Sequence, residues 1–227
     1  MASIHHTTLV PSKLELVAPW LPAQPWYAGR SGEPALTALS KAGGFRLDDP
    51  EGEVGIEFMV VTDESGDGPR AYLVPLTYRG APLDGADHAL IGTTEHGVLG
   101  KRWVYDGAYD PVLRAQLLAL LQDRAEAQMQ SVSDAPDPSV IPTLNGPALP
   151  VGAVATTVEN GPDGTDLAVE TPAYAAHTLR IVRALDPDAQ VPTDPAPRAH
   201  LVAAWTAPGA AAADSRALFA VLHAAAL

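Results

Sequence analysis

Cysteine is absent from this 227-residue sequence. Disulfides, thiolate metal sites and a thiol nucleophile are excluded with it. Basic residues are scarce: 14 Lys and Arg stand against 27 Asp and Glu, a formal charge of −13. Holding nucleic-acid phosphates requires clustered Lys and Arg. Only Lys101-Arg102 stand together, so nucleic acid is not an expected partner. No apolar run approaches the roughly 20 residues of a membrane helix, so no membrane is expected either. The opening Met1-Ala2-Ser3-Ile4-His5-His6 lacks the basic and apolar regions of a signal peptide. The expected location is the cytoplasm. What is abundant is Pro (22), Gly (19) and hydrophobic residues (47%). That supports one large or two small cores, since domains run to roughly 100–150 residues.

Periodicity gives an outline. Ser12-Lys13-Leu14-Glu15 has the spacing of a capping box and predicts a short helix from about Ser12 to Val17, which Pro19 should kink or end. Glu53 to Thr62 alternates with period two, placing Val54, Ile56, Phe58 and Val60 on one face. Asp63 to Gly68 is turn chemistry. Ala71 to Arg79 is the return strand, where Pro75 suggests an edge or a bulge. His88 to Thr94 and Val98 to Tyr105 form a second hairpin. Asp110-Pro111 opens a leucine-rich helix expected to reach about Gln130. Residues 131–139 read as a linker. From about Val140 the pattern is of strands: 151–159, 166–171, 177–185 and 200–206. Residues 186–198 hold four prolines, which forbids a regular helix. Residues 216–226 fit either a helix or a strand.

The run Trp20-Leu21-Pro22-Ala23-Gln24-Pro25-Trp26-Tyr27-Ala28-Gly29-Arg30 resembles the opening of the N-terminal cap domain of actinobacterial maltokinases. The likeness extends from Leu14 to about Gln130, through Tyr72-Leu73-Val74-Pro75-Leu76 and Asp110-Pro111. It implies an α+β fold: a cystatin-like cap, with a curved antiparallel sheet and helices, over residues 1–130. A second small, mostly antiparallel β domain, at 140–227, would resemble a kinase N-lobe. In that resemblance Leu179-Arg180-Ile181 stands for the strand carrying a phosphate-binding lysine, with Arg180 in the lysine's place. Asn160-Gly161-Pro162-Asp163-Gly164 stands for the glycine-rich loop. The sequence contains no His-x-Asp-x-x-x-x-Asn run and no Asp-Phe-Gly equivalent, the elements that place base and metal in phosphoryl transfer. A C-lobe is missing from this sequence, so no catalytic residue, cofactor or metal is expected. The implied role is a non-catalytic one, through contact with another protein such as a sugar kinase or other enzyme of maltose, trehalose or glycogen metabolism. The alternatives are a residual nucleotide or sugar-phosphate site, or a part of a sugar kinase acting in trans.

Several residues have two readings. Trp20, Trp26, Tyr27 and Arg30 either form an interaction surface or anchor the helix-to-strand turn. Trp103 and Tyr105 share a strand face and could form a carbohydrate platform. Arg180, Asn160, Gly161 and Gly164 either cradle a phosphate or close a plain hairpin; Pro162 removes an amide and Asp163 adds repulsion. Asp87-His88 and Glu95-His96 could set two imidazoles across a hairpin, without a third metal ligand. The acidic turn at 63–68 lacks the loop of a calcium site.

Overall fold

The computed structural model describes residues 9–29, 32, 34–132, 134–172, 176–210 and 215–224. The fold is α+β and mostly antiparallel. The first half supplies β1 (Leu9–Val10), α1 (Lys13–Trp20), β2 (Leu39–Leu47), β3 (Gly55–Asp63), β4 (Arg70–Arg79), β5 (Leu90–His96), β6 (Gly100–Asp106), α2 (Pro111–Leu120) and β7 (Gln128–Met129). The second supplies β8 (Ile141–Leu144), β9 (Val154–Gly161), β10 (Gly164–Glu170), β11 (His177–Ile181), β12 (Ala184–Leu185), β13 (Ala199–Trp205) and β14 (Ser215–Ala224). They join one sheet in the order β1-β5-β6-β4-β3-β2-β13-β14-β11-β10-β9. β12 is added on β4, β7 on β2 and β8 on β13.

The capping box forms. The Ser12 hydroxyl accepts from the Glu15 amide and the Glu15 carboxylate accepts from the Ser12 amide. α1 then outlasts the expected end by three residues. Pro19 falls in its last turn, where it costs the helix one bond without closing it. α2 is capped by the Asp110 carboxylate, which accepts from the Val112 amide. It stops at Leu120, ten residues short of expectation. Asp123 takes a left-handed conformation (φ 57°) and the Arg124 amide bonds back to Ala119 O. Asp enters that conformation more readily than most non-glycine residues, so the stop carries no glycine flag.

β3 is buried on both faces. Val54, Ile56, Phe58 and Val60 pack under α2 with Leu113 and Leu117. Met59 and Val61 pack with Leu16, Val17 and Leu21 of the α1 region. The alternation seen in the sequence is therefore one of two apolar faces, each covered by a helix. Pro75 corrects the edge expectation, since β4 is paired on both sides. The Leu73 amide donates to Arg183 O, so the nitrogen two residues on points the same way. Pro75 thus lies where β4 passes from β12, paired at Ala71–Tyr72, to β6, paired from Leu76. The missing donor falls in a gap between partners.

Residues expected to form a linker fold back on β7: Met129 donates to Ala135 O and Asp137 to Ala127 O. The ambiguous 216–226 segment is strand β14 up to Ala224. One apolar core includes residues from both halves, with the Phe45 ring 4.6 Å from Phe58 and 6.1 Å from Phe219 of β14. β2 meets β13 at a single register pair, Gly43 with Trp205. A Cβ on Gly43 (φ +130°) would lie 3.3 Å from Trp205 Cα, so this approach requires glycine. The adjacent bulge in β2 bends the sheet at the same point.

Glu57, on the α1 side of β3, is buried with its charge. Lys13 Nζ lies 2.5 Å and Lys41 Nζ 3.4 Å from its carboxylate, the Tyr78 hydroxyl donates at 2.8 Å and the Gln130 amide at 2.9 Å. Burial alone would raise its carboxyl, but the two ammonium groups override that and hold it below the ordinary range. A depressed carboxyl contributes stability above its unfolded value and loses it as pH falls toward the folded one. Thermal melts between pH 7 and 3 should therefore fall less steeply for Glu57→Gln than for wild type, from a lower starting point. Parallel slopes would place the acid sensitivity elsewhere.

Candidate functional site: the seam between the halves

The break between β11 and β12 turns Arg183 inward, where it is 0% exposed. One terminal nitrogen donates to both oxygens of Asp106, at 2.7 Å each, and Nε donates to Thr165 Oγ1 at 2.8 Å. Asp106 ends β6 and Thr165 opens β10, so one guanidinium ties the two halves. The chain of bonds continues outward. The Thr165 hydroxyl donates to Asn160 Oδ1 (2.8 Å), the Asn160 amide to Gln24 Oε1 (3.1 Å) and the Gln24 amide to Trp20 O (3.1 Å). The other terminal nitrogen of Arg183 is buried without an acceptor among the described residues. Removing either partner of such a dry charged pair strands the other in low dielectric.

The aromatic turn sits on this relay. Trp26 is 3% exposed, its ring 5.7 Å from that of Tyr72, with the Arg183 guanidinium 5.2 Å above it. Trp20 meets Trp26 edge-on at 5.7 Å and keeps an accessible side. The Tyr27 hydroxyl donates to Asp63 (2.7 Å); burial first, then that bond, push its phenol up to about 12. Trp26 is therefore a core anchor, and Trp20 and Tyr27 are half-buried supports. Arg30 lies outside the described residues, as do His5 and His6.

Arg180, Asn160, Gly161 and Gly164 converge on one cavity of about 250 Å³. Its other walls include Glu159, Asp163 and Asp166, and Arg180 already holds Asp166 through two bonds of 2.7 and 2.6 Å. Those hydrogen bonds hold the guanidinium above its ordinary value. Three carboxylates around one engaged guanidinium oppose a phosphate there. Gly164 (φ +135°) is required by geometry, since a Cβ would stand 2.6 Å from Ile181 O. Gly164→Ala should cost about 1–3 kcal/mol, read as a lowered denaturation midpoint. An unchanged midpoint would mean that the hairpin relaxes freely.

The platform of Trp103 and Tyr105 is corrected. Both side chains leave the same side of β6, but Tyr105 is 1% exposed and its hydroxyl accepts from the Leu83 amide at 2.9 Å. The 80–89 loop covers it, leaving Trp103 half-exposed beneath Lys101, whose Nζ is 4.9 Å from the ring centre. His88 and His96 flank opposite ends of β5, separated by roughly 20 Å of extended chain. His96 Nδ1 accepts from the amides of Val98 and Leu99 within its own turn. Among the described residues no three potential metal ligands cluster. Asp63 in the acidic turn accepts from Tyr27 and from the Ser65 amide, as a hairpin turn does.

The residues that sequence reasoning missed are Asp106, Arg183 and Gln24. One signal was present: Arg183 stands in phase with Leu179 and Ile181, on the inward parity of its strand. A cation at that position demands a buried acceptor.

The first half thus defines an α+β cap with a helix on each sheet face, clamped by Asp106 and Gln24 to the strands of the second half. Residues 20–110 match the family described as the maltokinase N-terminal cap domain. The match covers less than half of the chain, so the resemblance is to this segment alone.

Proposed function

We propose that this chain acts by binding rather than by catalysis, as a cap-containing regulatory or interaction protein in the cytoplasm. The cap match supports a link to maltose metabolism. The second half supports a reading as a degenerate kinase N-lobe. β9, β10, β11, β14 and β13 lie side by side as one antiparallel set, and the third strand in sequence carries Arg180 at its centre. The observation that carries the reading is the state of Arg180. Where a phosphate-binding lysine would stand, the cation is locked to Asp166. The following 186–198 segment is proline-rich, without a described helix to supply a pairing glutamate. The partner is another protein, a sugar kinase or an enzyme handling maltose, trehalose or glycogen. The faces offered to it are the accessible sides of Trp20 and Trp103.

The test is direct binding. Light scattering of an equimolar mixture with a purified maltokinase should show a heterocomplex. Trp103→Ala should weaken it, with circular dichroism unchanged. Transfer of phosphate from Mg-ATP to maltose by the isolated chain would overturn the reading. A second reading, a residual sugar-phosphate or nucleotide site, draws on the convergence of Arg180 and the 160–164 turn. It predicts a raised melting temperature with millimolar Mg-ATP, lost in Arg180→Gln.

A further inference from the structure

A larger groove of about 410 Å³ opens on the same seam, away from the Arg180 cavity. One wall is the outer side of β9, through Thr156 and Val158. The other is the 83–88 loop with Tyr109 and the first turn of α2. β9 ends the sheet, so its outer side has no strand partner among the described residues. The volume lies within the roughly 300–1,000 Å³ of small-molecule sites, which favour such boundaries between structural units.

Arg114 sets the chemistry. Around the seam Arg79 pairs with Asp110, Arg183 with Asp106 and Arg180 with Asp166. Arg114 is half-buried and forms no ion pair among the described residues. It donates one terminal nitrogen to Thr156 O, while its Nε is buried without an acceptor. Burial lowers its pKa, and nearby Asp110 offsets this only in part, being already engaged by two bonds to Arg79. An unmatched cation at the floor of a groove calls for an anion. Two donors stand near it. The Tyr109 phenol is raised by burial and by Asp106, so it stays protonated. The exposed His88 ring lies edge-on to Tyr109 at 4.8 Å. Asp84, exposed in the 83–88 loop that lines the groove, offers acceptors.

We infer that this groove binds a small hydroxylated organic anion, a phosphate monoester or a hydroxycarboxylate. Its charged head sits on Arg114 and its hydroxyls on Asp84. The inference is independent of the reading of the cap and of Arg180. Calorimetric titration of the full chain with glycerol 3-phosphate, glycerate and uncharged glycerol tests it. One or both anions should saturate and glycerol should not; which anion binds identifies the head group. Arg114→Gln should weaken binding about 10- to 100-fold, as loss of a charge-assisted bond does. Should that variant fold poorly, the double variant Asp84→Ala/His88→Ala, at exposed positions, should weaken it at least severalfold. No saturation by either anion at about 10 mM would overturn the site. So would glycerol binding as well as the anions, or affinity unchanged in the variants.

Discussion

Arg183→Met is expected to destabilise the folded protein by about 3–5 kcal/mol, the range for breaking a buried ion pair from one side. Asp106 would be left buried and facing no cation, and Thr165 would lose its donor. For a chain of this length that corresponds to a fall in melting temperature of roughly 6–20 °C. Asp106→Leu should cost a similar amount. The double variant should cost clearly less than the sum, because neither charge is then stranded. The contrast is Asp166→Asn, which breaks the bidentate pair with Arg180. That arginine side chain is 43% exposed, and the loss there should stay below about 1 kcal/mol. Both pairs are arginine–aspartate with bonds near 2.7 Å, and burial is the main difference expected to separate the outcomes. Equal effects at both sites would contradict this ranking.

Trp26→Ala should cost about 3–5 kcal/mol, comparable with other large core truncations. The indole fills the space between Trp20, Tyr72 and the Arg183 guanidinium, so its removal opens a cavity beside the charged pair. Its Nε1 has no hydrogen-bond partner, so Trp26→Phe sacrifices no bond and should recover most of the loss. Trp103→Ala, at a half-exposed position, should stay within about 1 kcal/mol of wild type. Chemical denaturation of the three variants checks the order. A mild Trp26→Ala would show that the aromatic turn is a surface device and not an anchor.

Much of this arrangement was legible in the residues, though unevenly. The capping box at Ser12 and the Asp110-Pro111 helix start are local devices with fixed spacing, and they form as read. The hairpins around residues 64–69 and 97–99 are also local, set by turn residues between alternating runs. What failed to show were properties set by distant neighbours. Met59 and Glu57 look solvent-facing from alternation, yet α1 covers that face. Tyr105 looks available until the 80–89 loop folds over it. The early stop of α2 depends on Asp123 adopting a conformation that sequence assigns to glycine. Arg180 and the 160–164 turn lie together because a hairpin register fixes them. Their surroundings of three carboxylates were not foreseen, since register alone says nothing of net charge. The seam was the least legible part. Its bonds join residues 77 and 136 positions apart, Asp106 to Arg183 and Gln24 to Asn160.

That seam makes one cooperative body of the first-half sheet and the second-half strands. Native-state hydrogen exchange measures this most directly, by comparing opening free energies for β3 and β4 with those for β10 and β11. The buried clamp predicts that core amides of both sets open only with global unfolding, at one shared free energy. Asp106→Leu should lower both together. Exchange of β10 and β11 at a markedly lower free energy than β3 and β4 in the wild type would contradict it, showing two separately unfolding bodies.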